Sequence, residues 1–75
     1  MTFDELFHAT YAASLAGSEV VGLYVALARN EEGLDPFQRA ALERLRSILY
    51  ENLSVEDLEA IRESYAAYLP GDGVA

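Results

Sequence analysis

Glu5 and His8 stand three residues apart near the start of the chain, with Asp4 one helical turn before the histidine. On a helix this spacing puts a carboxylate and an imidazole on one face, half of the Glu-x-x-His arrangement of di-iron carboxylate bundles. A complete site needs two such motifs and two further glutamates, and the chain has one histidine. Two copies would have to meet across a dimer axis to supply them. The same face continues through Ala12 and Leu15 and offers no ligand before Glu19, about three turns further on. The simpler reading is an exposed imidazole whose charged form is eased by two carboxylates. No metal ligand and no cofactor is therefore expected, and a metal-binding bundle built on Glu5 and His8 is the weakest of three readings.

Other chemistry finds less to work with. Ser14, Ser18, Ser47, Ser54 and Ser64 fall in helices or at caps, and the histidine has no serine partner at one-turn spacing. Gly17, Gly22 and Gly33 fit neither phosphate-loop nor dinucleotide spacing. The acid pairs Glu31-Glu32 and Glu56-Asp57 are explained by solvation and helix capping. No catalytic residue is expected, and the chain reads as a non-enzyme.

Charge excludes further classes. Thirteen acids face five arginines and no lysine, for a net charge of −8. Arg39, Arg44 and Arg46 form the one basic cluster, and Glu43 and Glu51 interrupt it. A chain of this charge is repelled by nucleic-acid backbones and anionic membranes, so neither is an expected partner. The converse idea is an acidic inhibitor that imitates nucleic-acid charge on a basic partner site, with Glu59 and Glu63 as contacts. The plainer reading of the acids after residue 50 is a solvated helix face. Residues 9–28 are long enough and apolar enough to test as a membrane span, but Glu19, two glycines and many alanines make insertion costly. The acidic start lacks the basic residues of an export signal, and no cysteine is present. The expected location is the cytoplasm.

These residues must be positioned by helices. Thr2-Phe3-Asp4-Glu5 reads as a capping box, with Met1 and Leu6 at staple positions. Leu6, Ala9, Ala13, Ala16, Val20, Leu23 and Leu27 then keep three- and four-residue steps straight across Gly17-Ser18. This favours one long helix from Phe3 to Arg29; the alternative splits it at Gly17-Ser18. Asn30–Leu34 is a turn in which Gly33 can take a positive φ. Asp35-Pro36 and Gln38 start a second helix, which runs to Asn52 and buries Phe37, Ala41, Leu42, Leu45, Ile48 and Leu49, with an outer Arg39–Glu43 pair. Ser54 caps a third, which turns Leu58, Ile61, Tyr65 and Leu69 inward and ends at Pro70-Gly71. The tail over residues 70–75 is expected to fray.

The sequence thus predicts a single all-α domain over residues 1–75, a small bundle of three helices, or four if the first is split. With no disulfide, a chain this short leans on regular packing or oligomerisation. The apolar stretch Val20–Ala28 has no polar side of its own except Tyr24, and two neighbouring helices cannot enclose it. A second copy can. Self-association is therefore expected through Leu6, Ala9, Ala13, Ala16, Val20, Val21, Leu23, Tyr24 and Leu27. The aromatic stripe Phe3, Phe7 and Tyr11 suggests a further contact surface. The leading expectation is a homodimeric helical interaction protein, an adaptor, chaperone-like or regulatory factor. Such an adaptor would leave an apolar groove open after dimerisation.

Overall fold

The computed structural model describes residues 1–70. In chain order it holds α1 (Phe3–His8), α2 (Gly17–Ala28), a 3-10 turn (Glu31–Gly33), α3 (Pro36–Asn52), α4 (Val55–Glu59) and α5 (Ile61–Ala66). No strand occurs among the described residues, and the fold class is all-α. The expected frayed tail falls outside the described residues, Pro70 excepted.

The α3 helix starts as its sequence dictates. Asp35 Oδ1 accepts from the Gln38 amide at 2.7 Å, and Gln38 Oε1 accepts from the Asp35 amide at 3.0 Å. Pro36 occupies the first helical position, where its missing N–H costs nothing. Leu42, Leu45 and Leu49 form the buried stripe. Phe37, Ala41 and Ile48, expected inside, are exposed. They lie about 100° round the helix or beyond the reach of its neighbours, and α2 and α4 cover only the leucine side.

The long first helix does not form. After α1, Ala9 turns extended at φ −83°, ψ 160°, and regular structure resumes only at Gly17. Ala9–Ala16 has the composition of a helix but almost nothing to bury. Its stripe is alanine, and a solitary helix of this length is marginal in water. Helix α2 restarts where Glu19 Oε1 accepts from the Ala16 amide at 2.7 Å. Alanine has no oxygen to return the bond, so half of a capping box forms. The break thus comes close to the Gly17-Ser18 alternative, with the preceding eight residues lost from the helix as well.

The third predicted helix is also two. Ser54 Oγ accepts from the Asp57 amide at 3.1 Å, as its capping role requires. Ala60, at φ −95°, ψ 10°, then separates α4 from α5. Ile61 is buried, Leu58 and Tyr65 are half-buried, and Leu69, expected inside, is exposed because the helix ends at Ala66.

The core consists of Val20, Val25, Leu42, Leu45, Leu49 and Ile61; Val20, Leu45, Leu49 and Ile61 cluster together, flanked by Val21, Tyr24, Leu27, Leu53 and Leu58. Val25 and Leu42 are its most completely enclosed side chains. Helix α2 lies mainly on α3, with α5 against it as well. Two smaller expectations also change. No glycine among the described residues has a positive φ; Gly33 sits in the 3-10 turn, where a Cβ would stand 2.9 Å from the Asn30 side chain. The Arg39–Glu43 pair is replaced. Arg39 donates to the Glu31 carbonyl at 2.9 Å, while Arg46 takes Glu43 at 2.6 Å and Glu31 at 3.2 Å. Burial works against the Arg46 charge, but Tyr24, Glu43 and Glu31 outweigh it and hold its pKa above the ordinary arginine value. Together these bonds tie the 3-10 turn to α3.

Candidate functional site: an apolar groove and an exposed arm

Helices α2, α4 and α5 meet without filling the space between them. Between them runs a groove of about 480 Å³, within the ~300–1,000 Å³ range of ligand clefts. Gly17, Ser18 and Val21 form its α2 wall, and Leu53 its floor between α3 and α4. Ile61, Tyr65 and Tyr68 form the opposite wall, with Asp57 and Ser64 as polar groups along it. The wall spacing follows from the sequence: Ile61, Tyr65 and Tyr68 are four and three residues apart, one face of a helix and its last turn. Tyr68 is 91% exposed. A tyrosine ring at such a site offers a large apolar face with its hydroxyl in water.

The arm, residues 1–16, carries further exposed apolar surface. Phe3, Leu6, Phe7, Tyr11 and Leu15 are between 45% and 77% exposed. Its helix is held by a full capping box: Thr2 Oγ1 accepts from the Glu5 amide at 3.1 Å, and Glu5 Oε1 accepts from the Thr2 amide at 2.8 Å. The Thr2 amide, and then its hydroxyl, hold the Glu5 carboxyl below its usual pKa. Phe3 and Phe7 stack at 5.7 Å, and Phe7 meets Phe37 edge-on at 4.9 Å and 80°. The Tyr11 hydroxyl reaches the Met1 sulfur at 3.4 Å, folding the linker back on the helix start.

The expected interface residues divide into three groups. Val20 is buried, and Val21, Tyr24 and Leu27 are half-buried against the chain's own core. Leu23 stays 47% exposed on the outer side of α2. Leu6, Ala9, Ala13 and Ala16 are exposed, and the last three lie outside any helix, so the nine do not share a seam. Of the expected contact residues, Phe3, Phe7 and Tyr11 are brought together on the arm, while Glu59 and Glu63 are exposed on α4 and α5. Sequence reasoning found only Val21 of the groove. The spacing Ile61–Tyr65–Tyr68 marks one wall, but nothing in it says that α2 stands opposite.

Glu5 and His8 do not converge. Glu5 is engaged with Thr2, while His8 Nδ1 lies 3.0 Å from the Asp4 carbonyl and 3.6 Å from its carboxylate. No group of three potential metal ligands is present among the described residues. No described helix is long and apolar enough to cross a membrane. Compared with known proteins, the chain matches no family model, no curated protein and no solved structure.

Proposed function

We propose that this chain is a non-enzymatic helical protein–protein interaction module that works as a homodimer, an adaptor, chaperone-like or regulatory factor of the cytoplasm. One observation carries the reading: the chain is under-packed for its size. Its accessible surface is 5906 Å², whereas a folded monomer of its mass exposes about 4,500 Å². The difference, about 1,400 Å², exceeds the ~800 Å² that each partner buries in a standard interface. Its radius of gyration, 14.7 Å, exceeds the ~11 Å of a compact chain of this length. Exposed apolar side chains on the arm, along the groove and at Leu23 contribute to it. A second copy is a chemically sufficient cover for it. The absence of cysteine suits a reducing compartment.

Sedimentation equilibrium at micromolar protein tests the reading. A mass near twice 8.2 kDa is expected. A clean monomer at every concentration would overturn it. The alternative, an acidic inhibitor on a basic partner site, draws on Glu56, Asp57, Glu59 and Glu63, all exposed on α4 and α5 with only Arg62 to offset them. Salt separates the two readings.

A further inference from the structure

We propose that the arm of one copy seats in the groove of a second copy, so that two chains exchange residues 1–16 about a two-fold axis. The proposal rests on the self-association reading and names its contact surfaces.

The two surfaces match in kind. Phe3, Leu6, Phe7 and Tyr11 are exposed apolar side chains carried on a short helix, and the Val21–Ile61–Tyr65–Tyr68 groove is open and apolar. Each lacks cover in the single chain. Chain geometry favours exchange over self-filling. Phe37, on which Phe7 rests, begins α3 just after the turn that follows α2; the groove opens at Gly17, the other end of α2. The linker Ala9–Ala16 thus carries α1 away from its own groove along the length of α2. That helix is roughly 18 Å long, and eight extended residues reach at most ~26–29 Å. To enter its own groove the arm must release Phe37 and double back within the linker. The arm of a second copy needs no such doubling back.

Exchange also closes. Each arm–groove contact is repeated by symmetry, so two chains satisfy both surfaces and leave neither free for further growth. The surface in surplus, about 1,400 Å² per chain, is what the two contacts together can draw on. Charge does not assist: the arm carries Asp4 and Glu5, and Asp57 lies in the groove. Apolar burial has to drive the contact, with like charges opposing it.

Two full-length variants test the proposal by complementation. Leu6→Asp with Tyr11→Asp spoils the arm, and Tyr68→Asp spoils the groove; all three positions are exposed, so circular dichroism should show unchanged folds. Each variant alone is expected to dimerise at least ten-fold more weakly than wild type. Their equimolar mixture is expected to form a heterodimer of intermediate affinity, because the intact arm of one meets the intact groove of the other. If both variants dimerise as wild type does, the exchange is wrong while self-association stands. If both are weakened and mixing restores nothing, like surfaces pair with like and the exchange is again wrong. A wild type that is monomeric throughout would instead remove the self-association reading itself.

Discussion

A Cβ placed on Gly22 would stand 3.2 Å from the Tyr65 hydroxyl oxygen, and the Tyr65 ring is a wall of the groove. The absent side chain of α2 therefore sets how close α5 sits. Tyr65 is half-buried beside open space, so its ring can shift when pressed. Gly22→Ala should leave folding stability unchanged or raise it by up to ~1 kcal/mol, since alanine is the better mid-helix residue. The displaced ring should narrow the groove and weaken dimerisation. Urea titration and the Tyr65 ring resonances check both effects. A stability loss beyond ~1 kcal/mol would show that Tyr65 is locked rather than yielding.

Leu42 is 0% exposed in a core of very few fully buried residues. Leu42→Ala should cost ~2–5 kcal/mol, by lost burial and the cavity left behind. In a domain of this size that is most of the available stability. Phe7→Ala should behave differently. It removes one edge-on aromatic contact, worth about 0.5–1.5 kcal/mol beyond burial, and detaches the arm from Phe37. Amide exchange should then rise over residues 1–16 and stay unchanged in α2 and α3. Accelerated exchange throughout the bundle would mean that the arm is part of the cooperative unit.

Much of this architecture was readable because its signals are local. The Thr2–Glu5 box, the Asp35-Pro36-Gln38 start and the Ser54 cap each depend on residues within one turn, and each forms as the sequence predicts. What failed was the stretch from Ala9 to Ala16. Periodicity there was real, but a helix face made of alanine gains little by burial, and no neighbour is long enough to cover it. Glu19, placed to reach back to Ala16, was the local sign that a helix begins at Gly17. The groove was illegible for another reason. It depends on how α2 meets α5 across more than forty residues of sequence, which no spacing within one helix encodes.

Acid should loosen the arm before the bundle. The Glu5 carboxyl is held below its ordinary value of 4.5 chiefly by the Thr2 amide. A depressed carboxylate pKa contributes stability that is fully present above the unfolded value and lost as pH falls through the folded value. The α1 helix should therefore fray as pH falls below the ordinary carboxylate value, while Glu5→Gln, which keeps the reach but not the charge, should be flat across that window. The Thr2 amide resonance followed from neutral to acid pH reports it. A wild-type Thr2 amide insensitive to pH would show that the box does not depend on ionised Glu5.

Glu59 and Glu63 separate the two functional readings. Both are exposed and neither is an ion-pair partner in the described structure, so changing them to glutamine should shift stability by less than ~0.5 kcal/mol each. Association is where the sign matters. Two chains that each carry −8 repel as they approach, and salt screens that repulsion over a Debye length of roughly 10 Å at 0.1 M and 3 Å at 1 M. For a dimer driven by apolar burial, both the double substitution and added salt should tighten self-association. A charge mimic behaves in the opposite way: its attraction to a basic site weakens with each lost carboxylate and with screening. Sedimentation of wild type and of the double variant at about 0.05 and 0.5 M salt gives the self-association half directly. Dimers that loosen as salt rises would mean that opposite charges hold the two copies together, and the apolar arm–groove contact could not then be the dominant one.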